Sequence, residues 1–271
     1  MKKKSSGLAK LYMAAVFFCL YLPIGVMILF SFNESKSMTN FTGFSLRWYK
    51  ELFSSGKAFE ALKYSLLIAV LSAIFSTIIG TLAAYGLNRM RKKLLYKMIM
   101  TTTNIPMMNP DIVTGISLLL LFAFIQTLLS LQNSLLGFGT LLIAHITFNV
   151  PYVILSVLPK FRQMDPHLSE AALDLGCTPF QVFYKIEIPS VMSGILSGAI
   201  MAFTLSLDDF VISYFVGSSN FQTLPLLIYS MTKKKVTPDM YALSTLIIIA
   251  IFTLLVISNV KAGKKEGGKK R

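Results

Sequence analysis

Charged residues are scarce in this sequence: Asp, Glu, Lys and Arg make up 14% of its 271 residues, whereas hydrophobic residues make up 54%. A soluble domain carries about 25% charged residues. The shortage of charge excludes an ordinary water-soluble fold and predicts a protein whose outer surface faces lipid. Because the apolar runs follow one another with short connections, we predict one membrane domain rather than two.

Several patterns that carry chemistry are also missing. Cys19 and Cys177 lie far apart without a C-x-x-C pattern, so we expect neither a disulfide nor a metal site. The phosphate-binding pattern G-x-x-x-x-G-K-[ST] is absent, so this chain is not expected to hydrolyse ATP. No cluster of His, Asp, Glu and Cys indicates a membrane-bound enzyme. We expect His145, alone in an apolar run, to be hydrogen-bonded within a helix bundle rather than bound to a metal.

Six apolar runs approach or exceed the roughly 20 residues that a helix needs to cross the hydrocarbon core of a bilayer. They are 11–32, 64–87, 99–128, 140–159, 190–216 and 241–260. The first has 22 residues, more than the apolar region of about 7–15 residues in a cleaved signal peptide, so we expect it to be retained. The third contains Pro106 and Pro110 and should be bent or divided. The sequence thus predicts an all-α membrane protein with about six transmembrane helices.

Basic residues are numerous, and a net charge of +14 would suggest nucleic acid in a soluble protein. Here Lys and Arg cluster between the apolar runs, as topology signals do, so we predict no nucleic-acid partner. If the N-terminus is inside, 18 of the 26 basic residues fall in inside segments and 8 in outside segments. This bias predicts that both termini are cytoplasmic, although the run Lys233–Lys235 favours the opposite orientation.

The connection 160–189, which this topology places in the cytoplasm, has the pattern of two short helices joined at a glycine. Asp165 is expected to cap the first helix, and Gly176 suits the left-handed residue that follows a helix. Thr178 and Gln181 form a T-x-x-Q capping box for the second helix. A polar helix pair between two membrane spans predicts a docking surface for a partner protein.

The same connection carries a family motif, E-A-A-x3-G-x9-I-x-L-P. The matching residues are Glu170, Ala171, Ala172, Gly176, Ile186, Ile188 and Pro189, with isoleucine at position 188 where leucine is usual. On this motif the chain resembles the permeases of ABC importers. In that family the loop forms a coupling helix that sits in a cleft of a cytoplasmic ATPase, and the resemblance implies this role for Glu170 through Gly176 in the loop 165–189. An ordinary solvated loop helix is the alternative.

The resemblance extends over residues 60–260 and is specifically to the second permease subunit of spermidine/putrescine importers. Segments 43–49, 110–115, 203–210 and 223–231 support it. It implies a polyamine substrate, a second permease chain, two cytoplasmic ATPase subunits that hold ATP and Mg²⁺, and an external substrate-binding protein. It also implies a bacterial cell membrane as the location, no cofactor bound by this chain and no enzymatic activity of its own.

We therefore divide the chain into three parts. Residues 1–59 hold the first transmembrane helix and an external amphipathic segment. Residues 60–260 form the permease core, with the coupling loop at 165–189. Residues 261–271 are a basic cytoplasmic tail, rich in Gly and Lys and expected to be disordered.

Three carboxylates lie inside apolar runs: Asp111 in the third run, and Asp208 and Asp209 in the fifth. An Asp at the centre of a span costs about 2.5–3.5 kcal/mol on insertion scales. None of the six runs contains a Lys or Arg to pair with it. Each carboxylate should therefore face a wet cavity, a partner chain or a cationic ligand. Adjacent helical residues point about 100° apart, so Asp208 and Asp209 should have different surroundings.

A polyamine needs separated carboxylates for its ammonium groups and aromatic faces for its methylene chain. The predicted substrate path consists of Asp111, Asp208, Asp209, Trp48, Tyr214 and Tyr229. Purely structural roles for the carboxylates, and a membrane-interface role for Trp48, are the alternatives at these positions. A secondary transporter or channel would also use such carboxylates, as proton or cation sites. That class does not explain the E-A-A motif.

Overall fold

The computed structural model describes residues 7–36, 40–130, 135–218, 221–234 and 239–249. Its helices are α1 (Gly7–Ser31), α2 (Arg47–Ser55), α3 (Lys57–Asn88), α4 (Lys93–Met108), α5 (Asp111–Leu128), α6 (Phe138–Gln163), α7 (Pro166–Asp174), α8 (Pro179–Val182), α9 (Ile188–Ser190), α10 (Met192–Asp208), α11 (Val211–Val216), α12 (Leu224–Lys234) and α13 (Asp239–Ile249). A π-helical turn, Phe183–Glu187, lies between α8 and α9. Within these ranges there is no β-strand, only an isolated antiparallel bridge between Asn33 and Phe44.

The predicted all-α membrane fold is confirmed. Four helices are long and apolar enough to cross a bilayer: Lys10–Ser31, Lys57–Asn88, Asp111–Leu128 and Phe138–Gln163. A fifth crossing results if Pro179–Ser190 and Met192–Asp208, which meet at a bend of 69°, form one span. The shorter α13 lies in the sixth predicted run, whose residues 250–260 fall outside the described part of the chain, as does the predicted tail 261–271.

The third predicted run is divided at a proline. Helix α4 ends at Met108, and α5 begins at Asp111 directly after Pro110. The proline ring disfavours a helical conformation in the residue before it. Asn109 accordingly has an extended backbone, with φ −79° and ψ 143°. The division matches one of the two forms predicted for this segment.

The fifth predicted run, 190–216, differs from the prediction of a single span. Helix α10 ends at Asp208, and the short α11 begins at Val211. Between them, the Asp209 carboxylate accepts hydrogen bonds from the backbone N–H groups of Ile212 and Ser213 at 3.1 and 2.8 Å. A short acidic side chain that binds the N–H groups of the following turn starts a new helix. The apolar pattern of the run does not reveal this cap.

Contacts divide the described residues into two compact units, those within 1–60 and 228–271 and those within 61–227. In the second unit, α10 lies against α6 through a row of small buried residues at every fourth position. These residues are Gly194, Gly198, Ala202 and Ser206. A Cβ atom on Gly194 would lie 2.9 Å from the carbonyl oxygen of Ser156, so only glycine allows this approach. Small residues let membrane helices come this close to each other.

The same close packing recurs where α3 meets α6 and where α5 meets α11. A Cβ atom on Gly80 of α3 would lie 2.7 Å from Val153 of α6. A Cβ atom on Gly115 of α5 would lie 2.8 Å from the Phe215 ring of α11. Gly86 is exposed and has open space around its Cα. The small residues of α3 therefore serve close packing at Gly80 but not at Gly86.

Candidate functional site

The first helix of the 165–189 loop has the caps that its sequence predicts. Asp165 Oδ1 accepts a hydrogen bond from the backbone N–H of His167 at 3.0 Å. At the other end, Gly176 has φ 86°, in the left-handed region. Its N–H donates to the carbonyl of Leu173 at 2.9 Å, and the N–H of Cys177 donates to that of Ala172 at 3.0 Å. This pair of bonds is the Schellman motif, which satisfies the last carbonyls of α7.

The second helix also begins with its predicted capping box. The backbone N–H of Thr178 donates to Oε1 of Gln181 at 2.9 Å, and the N–H of Gln181 donates to Oγ1 of Thr178 at 3.4 Å. After one α-helical turn the backbone widens into the π-helical turn Phe183–Glu187. It then bends by 69° into α10. The loop is therefore an ordered helix pair that continues directly into a membrane helix.

This helix pair exposes apolar side chains. Leu175 and Phe180 are 86% and 76% exposed, and Leu168 and Leu173 are about half exposed. A loop that stays in water would normally carry polar residues at such positions, because each exposed apolar side chain forgoes about 1.5–3 kcal/mol of burial. The arrangement suits a surface that a partner protein covers.

The residues of the E-A-A motif occupy different positions on this helix pair. Glu170 is 70% exposed at its side chain and lies 3.1 Å from Nδ1 of His167. Ala171 is exposed, whereas Ala172 is buried. Further along, Ile186 is half-buried and Pro189 is exposed. The exposed Glu170 and Ala171 are thus available to a partner, while Ala172 packs inside the loop.

Glu187, which is not among the predicted site residues, joins the loop to α3. It is 3% exposed, and its Oε1 accepts hydrogen bonds from Nη2 of Arg89 at 2.8 Å and from Oγ of Ser169 at 3.0 Å. Arg89 follows the end of α3, and Ser169 lies in α7. One carboxylate therefore holds α3, α7 and the π-helical turn together. Its Oε2 has no hydrogen-bond partner among the described residues.

The sequence indicates that Glu187 is paired with a cation but does not identify that cation. A buried carboxylate costs several kcal/mol unless it is paired, so Glu187 between two isoleucines implies a nearby cation. Arg89 lies 98 positions earlier in the chain, so only the fold identifies it as that cation. The guanidinium carbon of Arg89 also lies 4.6 Å from the centre of the Tyr85 ring.

Asp208 and Asp209 have different surroundings. Asp208 ends α10 and is exposed. The Asp209 side chain is 7% exposed, and besides the two N–H groups that it caps, its Oδ2 accepts a hydrogen bond from Oγ of Ser213 at 2.9 Å. The structure thus gives Asp209 the role of a buried helix cap and leaves the Asp208 carboxylate accessible.

A buried polar network continues from Asp209 through the second unit. Oδ2 of Asp209 lies 3.5 Å from Nε2 of His145, and Nδ1 of His145 lies 2.7 Å from Oγ of Ser206. Oγ of Ser72 donates to Oγ of Ser206 at 2.9 Å. The network joins α3, α6 and α10, so the predicted hydrogen-bonded role of His145 is confirmed. No group of three or more His, Cys, Asp or Glu residues in the described ranges is placed to hold a metal ion.

Asp111 and Tyr214 lie on the neighbouring helices α5 and α11. Asp111 is exposed in the first turn of α5, four residues before the glycine that packs against Phe215. Residues four apart lie on the same face of a helix, so Asp111 lies on the side of α5 that meets α11. Tyr214 is 46% exposed, and its ring centre lies 5.6 Å from that of Phe210. Asp111 and Tyr214 thus lie on two helices that pack against each other, and Asp208 is the last residue of α10, which precedes α11.

Trp48 and Tyr229 belong to the other unit. Trp48 is only 3% exposed, and its Nε1–H donates to the carbonyl of Asn33 at 2.6 Å. This bond anchors α2 to the segment that follows α1. Tyr229 is half-buried in α12, and Nζ of Lys233 lies 4.9 Å from the centre of its ring. Both aromatic residues thus already have partners within their own unit.

Known proteins resemble this chain over most of its length. The family model for the "Binding-protein-dependent transport system inner membrane component" matches residues 76–262. The chain is 39% identical over 260 residues to the spermidine/putrescine transport system permease protein PotC of Escherichia coli (strain K12). The aligned region covers 95% of this chain and 94% of that relative. It is 40% identical over 235 residues to the putrescine transport system permease protein PotI of the same strain. That aligned region covers 86% of this chain and 82% of PotI.

A solved structure shares the fold. It is the crystal structure of a bacterial alginate ABC transporter in complex with an alginate pentasaccharide-bound periplasmic protein. One of its chains aligns with a TM-score of 0.70 at 18% identity, over 92% of this chain and 90% of that chain. At this level of identity the similarity establishes the architecture of the helices.

Proposed function

This chain belongs to the family of binding-protein-dependent transport system inner membrane components, and from that premise we propose that it carries polyamines of the spermidine and putrescine type into the cell. It is an inner-membrane permease subunit of the ABC transporter class and not itself an enzyme. The observation that supports the proposal most is the loop 165–189. It combines the E-A-A motif with two capped helices and a solvent-exposed apolar surface.

A secondary transporter or channel accounts for the chain less well. It would use the same intramembrane carboxylates as ion sites. It would not account for the family match over residues 76–262 or for the ordered helix pair between α6 and α10. ATP-driven import is therefore the mechanism that we propose.

In this proposal, a cytoplasmic ATPase docks on the loop surface around Leu175 and Phe180, with Glu170 at its edge. Large apolar side chains surrounded by polar groups are typical of protein interfaces. A second copy of the ATPase docks on a second, similar permease chain, and the two ATPases hold ATP and Mg²⁺. An external binding protein delivers the substrate. This arrangement requires the loop to be cytoplasmic, as the distribution of Lys and Arg predicts.

Two connections transmit movement of the loop to the membrane helices. The first is the chain itself, which runs from the π-helical turn through the short α9 and a bend of 69° into α10. The second is the ion pair between Glu187 and Arg89, which ties the loop to the end of α3. Because Glu187 is buried and its Oε1 is held from two sides, the loop cannot move away from α3 without breaking this contact. Docking at the loop therefore shifts α3 and α10 together.

For the substrate path, we propose Asp111 and Asp208 as the carboxylates that meet the ammonium groups, with Tyr214 beside them. Both carboxylates are exposed, whereas the oxygens of Asp209 are occupied by its cap. Asp208 lies three residues before Val211, whose carbonyl oxygen borders Gly115, so it lies within about 11 Å of the contact between α5 and α11. A polyamine has several such ammonium groups along one flexible chain, so two carboxylates can hold it at two points.

The proposal is tested by uptake of labelled spermidine and putrescine into proteoliposomes that contain this chain with its candidate permease, ATPase and binding-protein partners. We expect uptake that requires ATP. The Glu170→Lys variant should lose it, because the reversed charge lies on the docking surface. Glu60→Lys is the matched control, since Glu60 is an exposed residue in the first turn of α3, outside the loop.

Two results would change the conclusion. Uptake that ignores ATP but follows an ion gradient would overturn the importer mechanism and reassign the carboxylates to ion coupling. Absence of polyamine uptake, together with ATPase activity that another substrate stimulates, would retain the ATP-driven mechanism and reject the polyamine.

A further inference from the structure

A pocket of about 530 Å³ lies in the second unit, and none of the carboxylates described above lines it. It forms where the ends of α3 and α6 meet the first three turns of α4. Three basic side chains line it, Lys93, Lys97 and Arg162, and none of the other described residues around it is an Asp or Glu. The pocket therefore has the opposite charge to the proposed polyamine path.

No carboxylate of the described residues neutralises these three cations. Within the described residues, Lys93, Lys97 and Arg162 form no ion pair. Arg162 donates a hydrogen bond to the hydroxyl of Tyr96, and its guanidinium carbon lies 5.0 Å from the centre of that ring. These two contacts hold the guanidinium at the pocket wall. Like charges repel a polyamine from such a site, whereas an anion would relieve the repulsion among the cations.

The polarity of the pocket changes along α4. Lys93 and Lys97 lie at its first two turns, whereas Thr101 and Asn104 continue the same wall deeper in the helix. From Lys93 to Asn104 the helix rises by about 16 Å. Met100 adds apolar surface beside them. The pocket thus presents cations at one end, and hydrogen-bonding groups with an apolar wall at the other.

The geometry points to a binding site for an anionic phospholipid. Its phosphate lies among Lys93, Lys97 and Arg162, and its glycerol esters accept hydrogen bonds from Thr101 and Asn104. Ammonium and guanidinium groups form strong, charge-assisted hydrogen bonds with phosphate oxygens. The pocket lies where two membrane helices end, which is the depth of lipid headgroups. Basic pockets between membrane helices on the cytoplasmic side bind anionic headgroups in this way.

The test titrates the purified transporter complex with phosphatidylglycerol, phosphatidylcholine and inorganic phosphate, and counts bound molecules by native mass spectrometry. The pocket variant is Lys93→Gln with Lys97→Gln. The matched control is Arg91→Gln with Lys92→Gln, which removes the same charge from exposed residues of the same segment that do not line the pocket. We expect the pocket variant to weaken phosphatidylglycerol binding by about 10- to 30-fold, and the control to change it by less than about 3-fold.

Thermal denaturation confirms that both variants fold, and Lys97→Arg should retain phosphatidylglycerol binding because it keeps the charge. Equal losses in the pocket variant and the control would overturn the site and leave only general attraction to an anionic surface. Equal binding of phosphatidylcholine would also overturn it. Binding of inorganic phosphate as tight as that of phosphatidylglycerol would reject the lipid as ligand and indicate a free-phosphate site. Because the measured quantity is lipid binding, these outcomes are independent of polyamine uptake.

Discussion

At the scale of single residues, Asp208 and Asp209 show how neighbouring, chemically identical side chains take different roles. The oxygens of Asp209 receive two backbone N–H groups and a serine hydroxyl, so this carboxylate starts α11 and joins the buried polar network. Asp208 is exposed at the end of α10. A substitution at one position should therefore affect the fold, and a substitution at the other should affect transport.

We expect Asp208→Asn to reduce polyamine uptake at least tenfold and to leave assembly and thermal stability unchanged, because the amide keeps the volume and loses the charge. Asp209→Asn should lower the free energy of unfolding by about 1–2 kcal/mol, because the amide NH₂ group cannot replace the carboxylate oxygen that accepts from the N–H and the hydroxyl of Ser213. Labelled spermidine uptake and thermal denaturation of each purified complex measure the two effects. Normal uptake by Asp208→Asn would remove Asp208 from the proposed path.

Glu187 is the second residue whose role the fold decides. We expect Glu187→Gln to lower the free energy of unfolding by about 1–3 kcal/mol, since Arg89 loses the charged partner that holds it. We also expect fewer substrate molecules to be carried for each ATP hydrolysed, because the loop is less firmly tied to α3. The measurements are thermal denaturation and the ratio of uptake to ATPase activity.

The double variant Arg89→Gln with Glu187→Gln separates the pair from its surroundings. Its loss should be smaller than the sum of the two single losses, because the two amides can still hydrogen-bond each other. Asp174→Asn, an exposed carboxylate of α7, is the control for stability and should change it by less than about 0.5 kcal/mol. An unchanged ratio of uptake to ATPase activity in Glu187→Gln would contradict the coupling role.

At the scale of helices, glycine spacing determines how closely α10 can approach α6. Gly194 and Gly198 lie one turn apart, and a Cβ atom on either would meet α6 within 3.3 Å. Gly86, on α3, faces open space instead. Glycines of similar appearance in the sequence therefore carry very different structural requirements.

We expect Gly194→Ala to destabilise the protein by about 1–3 kcal/mol, because the new methyl group meets the carbonyl oxygen of Ser156 and the two helices must separate. Gly86→Ala should be neutral or stabilise by up to about 1 kcal/mol, since alanine favours the helix and meets no neighbour. Thermal denaturation of the two variants makes the comparison. Equal stability of both would refute the close packing of α10 on α6.

At the scale of the whole molecule, the loop can serve an ATPase only if it lies on the cytoplasmic side. We expect Glu170→Cys to react with a membrane-impermeant maleimide only when the reagent reaches the cytoplasmic face. Lys36→Cys, in the segment after α1, should react from the outside. Both substitutions are made in a background with Cys19→Ser and Cys177→Ser, so that only the new thiol is labelled. Labelling of Glu170→Cys from outside intact cells would reverse the predicted topology.

Much of this protein could be predicted from local sequence. Long apolar runs can be satisfied in a membrane only by helices, so the all-α fold follows from composition and spacing. The caps at Asp165, Gly176 and Thr178 form within a few residues of chain, so their types and spacing also predicted the helix pair of the loop. The E-A-A motif lies in that pair, and it predicted the family that the comparisons established.

Contacts between distant residues could be decided only by the tertiary structure. The break in the fifth run, the pairing of Glu187 with Arg89 and the pocket between α4 and α6 all depend on which helices meet. The sequence marked Asp111, Asp208 and Asp209 alike as costly charges, because insertion cost depends on residue type and depth. In the structure Asp111 and Asp208 are exposed, whereas Asp209 is a buried helix cap. This difference depends on which groups packing brings within hydrogen-bond distance, and the order of residues along the chain does not contain that information.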